Sequence, residues 1–172
     1  MRIAIIGNSG SGKSTLARWL AEGSGAALLD LDAVAWEPGA IAVARAADAA
    51  ARDVRAFCSS NASWMLEGCY ANLVGAALPF APRLILLDPG EEQCVANCCS
   101  RAREPHKYAS KAQQDEPLGF LIAWVRQYYH RDGEMSHSGH ITTYLEYGGP
   151  KQVLTRMPVL DPPSAQVLAW LN

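Results

Sequence analysis

The first fifteen residues constrain this chain more than anything that follows them. An apolar run, Ile3-Ala4-Ile5-Ile6, passes without a break into Gly7-Asn8-Ser9-Gly10-Ser11-Gly12-Lys13-Ser14-Thr15. The apolar run reads as a buried strand. The residues from Gly7 to Thr15 include three glycines and three serines and cannot pack a core. Helical spacing begins within the same stretch. Leu16, Ala17, Leu20 and Ala21 share one face between Lys13 and Glu22, with Gly23 as the expected stop. A glycine-rich loop between strand and helix turns backbone N–H groups inward at the positive end of a helix, which makes a cradle for an anion.

Gly7-x4-Gly12-Lys13-Ser14 is the Walker A pattern. The glycines let a phosphate chain approach bare backbone, Lys13 can reach β- and γ-phosphates, and the Ser14 hydroxyl can ligate Mg²⁺. The expected ligands are therefore ATP and Mg²⁺, held by Gly7, Asn8, Ser9, Gly10, Ser11, Gly12, Lys13, Ser14 and Thr15. The alternative is a plain Gly/Ser turn. A chance match in a chain of this length is on the order of one in a hundred, and rarer between a strand and a helix.

The remaining chain alternates strand-like and helical patterns, which argues for an α/β fold with a parallel sheet. Expected strands are Arg2–Ile6, Ala27–Leu31, Trp64–Glu67, Leu84–Leu87 and Gln152–Leu154. Expected helices, after the first, are Val43–Cys58, Glu91–Arg103, Pro117–Arg131 and Ser164–Leu171, the last with Ser164 as N-cap. The 172 residues suit one domain. The polar stretch 101–117, with a proline near each end, suits a mobile lid. Asp132–Gly149, rich in Gly, Ser and His, has no assignable pattern.

Composition excludes several function classes. A formal net charge of −2 does not suggest a nucleic-acid-coating surface. No segment has the roughly 18 consecutive apolar residues of a membrane span, and the apolar start is too short for a secretion signal. Five unevenly spread cysteines do not form a disulfide framework and point to a reducing cytoplasm.

A phosphotransferase needs carboxylates to organise Mg²⁺ and to take the acceptor's proton, and parallel sheets place them at strand C-termini. Asp30 and Asp32 close the second expected strand, Glu67 the third and Asp88 the fourth. Each could instead simply cap the next element. Spacing does not choose among them, although "AVAWEPG" after Asp32 reads as an acceptor-side loop rather than a helix start.

This layout resembles the adenylate-kinase-like P-loop kinases, and most nearly the bacterial proteins called topology modulation or adenylate-kinase-related proteins. The likeness rests on Leu31-Asp32 with Trp36, Pro38 and Gly39, and on Trp64 with Glu67, Gly68 and Tyr70. It implies a P-loop NTPase fold, a five-stranded parallel sheet of order 2-3-1-4-5 flanked by helices. It also implies a small lid in which Arg101 and Arg103 neutralise charge on the transferred phosphoryl group, with His106 and Lys107 as second choices. The basic cluster could otherwise be a solvated helix end. The chain lacks the Gly-Phe-Pro-Arg turn of true adenylate kinases and the Gly-Gly-Gly turn of shikimate kinases. The donor side carries over and the acceptor side does not.

Weaker groupings have plainer readings. Cys94 and Cys98 share a helix face and are expected as buried apolar side chains rather than zinc ligands. His130, His137 and His140 are expected on a polar surface loop, with a metal site or pH-sensitive loop beside Asp132 and Glu134 as the alternative. Leu121, Trp124, Tyr128 and Tyr129 suggest core packing, with Arg126 and Arg131 available to join the lid arginines. Gln152–Pro158 could lie near the adenine, with Arg156 stacking on it.

The expected activity is transfer of the γ-phosphoryl group of Mg-ATP to an unidentified small-molecule acceptor, by a monomer or homodimer. Lys13, Asp32, Arg101 and Arg103 would be catalytic, with Ser14 and Glu67 at the metal. The rival is a slow ATPase acting as a nucleotide-switched regulatory or DNA-topology-related binding protein. A kinase of nucleic-acid ends would need a long basic groove leading to Asp32.

Overall fold

The computed structural model describes residues 1–37, 43–101, 110, 112–113 and 116–171. Its centre is a five-stranded sheet in the order β2-β3-β1-β4-β5. The strands are β1 (Arg2–Gly7), β2 (Ala27–Asp30), β3 (Trp64–Gly68), β4 (Arg83–Leu87) and β5 (Lys151–Leu154). Every pairing is parallel, with Ile6 opposite Gly68 on one side of β1 and Leu86 on the other. The sheet order is the one the kinase resemblance implies.

Eight α-helices stand among the described residues: α1 (Lys13–Ser24), α2 (Asp32–Ala35), α3 (Ala47–Ser60), α4 (Ala71–Ala77), α5 (Glu91–Cys99), α6 (Leu118–Arg126), α7 (His137–Glu146) and α8 (Ala165–Leu171). Successive residues of β1 point to opposite faces, and both faces are covered. Ala4, Ile6, Leu66, Leu84 and Leu86 pack with Val54 and Cys58 of α3 and Leu73, Val74 and Ala77 of α4. Ile3, Ile5, Met65, Ile85 and Leu87 pack with Leu16, Ala17, Leu20 and Ala21 of α1 and Val167 and Trp170 of α8. A smaller cluster joins α5 to α6 through Cys94, Cys98 and Val125.

Several boundaries differ from the sequence expectation. α1 ends at Gly25, not Gly23; Gly25 has φ 68° and donates its N–H to Ala21 O at 2.8 Å. α3 starts at Ala47 rather than Val43, because Ala44 forms a β-bridge with Trp36. That pairing removes the first four residues of an alanine-rich pattern from the helix. Glu91–Arg103 narrows to α5 within the described residues. Pro117–Arg131 becomes α6 followed by a 3-10 turn at Gln127–Tyr129. Ser164 does precede α8 and its carbonyl accepts from Leu168 N at 3.1 Å, but its hydroxyl has no partner among the described residues. None of the helices found is long and apolar enough to cross a membrane.

Candidate functional site

The loop after β1 is held from outside and open inside. Gly10 and Gly12 adopt φ 78° and 97°, the left-handed region that a side chain disfavours. A Cβ on Gly10 would also lie 2.2 Å from Cys94 O and 2.7 Å from Cys98 Sγ, so the loop lies directly against α5. Asn97 Nδ2 donates to Gly10 O at 2.8 Å, and the buried Asn8 Nδ2 donates to Val125 O at 3.0 Å. Asn8 also turns the chain, its carbonyl accepting from Ser11 N at 3.1 Å and its Oδ1 from Ser9 N at 2.9 Å.

Among the described residues no acceptor meets the N–H groups of Gly10, Gly12, Lys13, Ser14 or Thr15. Helix α1 begins at Gly12 with no side-chain cap, and the Ser11 hydroxyl is buried without a partner there. A row of unsatisfied donors at a helix N-terminus, backed by glycines, fits a polyphosphate.

Lys13 and Glu67 face each other across this opening. The ammonium is 4.0 Å from Glu67 Oε2 and donates to Asn8 O at 3.4 Å. Burial pulls the Lys13 pKa down, but Glu67, and behind it Cys69 and Asp32, more than offset that, so it stands above its usual value. Burial pushes Glu67 upward, while Lys13 and a hydrogen bond from the Ser14 hydroxyl pull it down; burial, with Asp30 and Asp32 nearby, prevails. A hydroxyl and a carboxylate beside the loop are a donor set suited to a hard cation such as Mg²⁺.

The four carboxylates separate by position. Asp32 joins Glu67 on the Lys13 side, where both act on the ammonium. It is the first residue of α2, so the stretch after it starts a short helix, contrary to the expected loop. Its N–H donates to Asp30 Oδ1 at 2.9 Å, which leaves Asp30 bracing the turn. Asp88 belongs elsewhere: the Tyr129 hydroxyl donates to it, and His137 Nε2 lies 3.3 Å from its Oδ2.

The surface-loop expectation holds for His130, an exposed turn residue, and fails for the helical His137 and His140. His140 is fully buried on α7, not on a polar surface loop. Its ring nitrogens bond Tyr128 Oη at 2.8 Å and Cys69 O at 2.9 Å. The carbonyl can only accept, so Nε2 carries the proton and Nδ1 accepts from Tyr128. His140 thus links α7 to the turn after β3, beside Glu67. The pattern was unreadable because this helix has few apolar residues and is fixed by buried hydrogen bonds.

Arg101 is close enough to Lys13 to act on its charge. Arg103, His106 and Lys107 lie outside the described residues. Arg126 pairs with Glu91 at 3.9 Å on the surface. Arg131 stacks 3.8 Å from the Trp124 ring centre and donates to the carbonyls of Trp124 and Met135, so it braces the α6–α7 connection. Cys58, Cys94 and Cys98 are free and buried, and no metal-binding cluster occurs among the described residues. Met157 reaches the loop, its Sδ 3.0 Å from where a Gly12 Cβ would sit, while Arg156 is exposed.

No protein-family model and no curated relative matches this sequence. Solved structures do match. A shikimate kinase from Bacteroides thetaiotaomicron aligns at TM-score 0.55 and 13% identity, over 99% of this chain and 94% of that one. The chain shares the fold of P-loop kinases. A gluconokinase from Sinorhizobium meliloti 1021 gives TM-score 0.52 at 17% identity, covering 99% of this chain and 90% of that one. A sugar kinase from Janibacter sp. HTCC2649 gives 0.50 at 16%, covering 99% and 93%. The turn at Gly7–Thr15 follows β1, which pairs directly with β3, and Lys13 of the one reaches toward Glu67 of the other.

Proposed function

We propose that this chain is a phosphotransferase that moves the γ-phosphoryl group of ATP onto a hydroxyl of a small-molecule acceptor. The observation that carries it is the approach of Lys13 to Glu67 at a helix N-terminus whose first N–H groups meet no acceptor among the described residues, with Asp32, at the start of α2, acting on the same ammonium. Structural likeness to kinases of shikimate, gluconate and sugars supports the reaction class. The motif likeness to adenylate-kinase-related and topology modulation proteins is consistent with that reaction class.

The loop amides and Lys13 bind and orient the triphosphate, and Ser14 and Glu67 are the residues that would hold Mg²⁺. Bound Mg²⁺ supplies charge neutralisation at the phosphate oxygens. Asp32 accepts the proton of the acceptor hydroxyl as its oxygen bonds to the γ-phosphorus and the bond to the β-phosphate oxygen breaks, leaving ADP. Arg101 and Arg103, on the lid reading of 101–117, close over the γ-phosphate and keep water out until the acceptor is seated. Met157 and Arg156 flank the base.

The deciding experiment incubates the protein with Mg-ATP and a panel of nucleotides, sugars, polyols and hydroxy acids and identifies any phosphorylated product by mass spectrometry. ADP and free phosphate with no phosphorylated acceptor would favour the nucleotide-switched regulator instead. Lys13→Ala should abolish ATP binding by calorimetry; unchanged affinity refutes the loop assignment.

A further inference from the structure

Asp32 does not stand alone. Trp36 Nε1 donates to Tyr70 Oη at 2.7 Å, and Tyr70 Oη donates to Asp32 Oδ1 at 2.8 Å. The direction of this relay is fixed by chemistry. An indole N–H can only donate, so the phenol oxygen accepts from Trp36 and its single proton must pass to the carboxylate. The two rings meet edge to face, with centroids 6.4 Å apart and planes at 72°. Tyr70 is only 6% exposed, so water competes poorly for these bonds.

We propose that Tyr70, held by Trp36, is a positioning residue that aims the Asp32 carboxylate at the acceptor. The proposal rests on the phosphotransferase reading and deepens it, since it explains how a base at the start of a four-residue helix keeps one orientation. The phenol's bond to Oδ1 restrains rotation of the carboxylate, and the Asp32 N–H bonded to Asp30 holds the backbone that carries it. A base delivers its effect only when its lone pair faces the proton it takes.

The relay's own supports come from three segments. Trp36 is paired in a β-bridge with Ala44, and Glu37 N donates to Val43 O at 2.8 Å. Arg45 Nη1 donates to Val34 O at 3.0 Å and pairs with Asp53 of α3 at 2.7 Å. Tyr70 itself leads into α4. Among the described residues, the charged and titratable groups around Asp32 include Asp30 on β2, Lys13 on α1, and Glu67, Cys69 and Tyr70 on and after β3. Burial, and next Asp32 itself, push the phenol's pKa upward, so Tyr70 stays a proton donor throughout the working pH range.

The test follows the Trp36 indole resonance by ¹H–¹⁵N NMR, assigned with Trp36→Phe. Asp32→Asn should shift it upfield in the wild-type background, because weakening one bond of a relay weakens its neighbour. The same substitution should leave it in place when Tyr70→Phe has already removed the phenol. An indole resonance that ignores Asp32→Asn, or that moves equally in both backgrounds, overturns the relay.

Function is read separately, with the acceptor that the product panel identifies. Tyr70→Phe should lower kcat by about tenfold while leaving KM for Mg-ATP unchanged. Unchanged kcat in Tyr70→Phe, with Asp32→Asn inactive, overturns the positioning role. If the wild-type protein fails to bind Mg-ATP in the calorimeter, the phosphotransferase reading has failed, and the NMR arm still decides the relay.

Discussion

Lys13 keeps its charge in a nearly closed setting because Glu67 and Asp32 lie on the same side of the loop. The loop reaches that setting only through backbone shapes that glycine tolerates. Gly10→Ala would force a Cβ against Cys94 O and Cys98 Sγ at a left-handed φ. It should cost about 2 kcal/mol or more, read from the urea midpoint, and should weaken ATP binding. His140 makes a pH-dependent prediction. Burial lowers its pKa to about 4, against an ordinary 6.5, despite the opposing bond to Cys69 O. As pH falls below 6.5 the unfolded chain takes up a proton that the folded one refuses, so stability is lost down to about pH 4 and that loss then levels off. The loss attributable to this group is on the order of 3 kcal/mol. His140→Gln should flatten urea-derived stability against pH over that window, and an unchanged slope would refute the assignment.

Elements α5 and α6 border the 101–117 segment, and both are tied to the phosphate loop, by Asn97 to Gly10 O and by Asn8 to Val125 O. Asn8→Ala leaves the Val125 carbonyl without that partner in a buried position. It should cost about 1–3 kcal/mol, measured by denaturant unfolding. Asn97→Ala frees a partly buried carbonyl instead and should cost less while raising KM for ATP. Neither asparagine betrays this role in sequence, since Asn8 counts there among the phosphate-loop residues and no pattern singles out Asn97. Elements with strong apolar period, β1, β4 and α1, were legible within a residue or two. Elements fixed by polar bonds, α7 with its buried His140, or displaced by pairing, α3 with its Trp36–Ala44 bridge, were not.

At the scale of the whole molecule, ligand binding and folding are one equilibrium. If Mg-ATP binds only the folded chain, saturating it at about a hundredfold over Kd adds roughly 2.7 kcal/mol. For a chain of 172 residues that is a rise in Tm of about 5–10 °C. Differential scanning fluorimetry should show the rise in the wild type and not in Lys13→Ala.

What the sequence alone determined is the unit of strand, glycine loop and helix at the start of the chain, because the three are contiguous and their pattern is local. Glu67 and Asp32 were legible as carboxylates at strand ends, but not as the pair that shares Lys13. Asp88 follows β4, on the other side of β1 from β3, and there the Tyr129 hydroxyl and His137 engage it, which only the tertiary structure shows. The Trp36–Tyr70–Asp32 relay likewise belongs to the tertiary structure, since it joins residues 34 and 38 positions apart. Local patterns encode which element forms and which face it buries. Hydrogen bonds between distant side chains depend on where the elements come to rest, and no spacing along the chain records that.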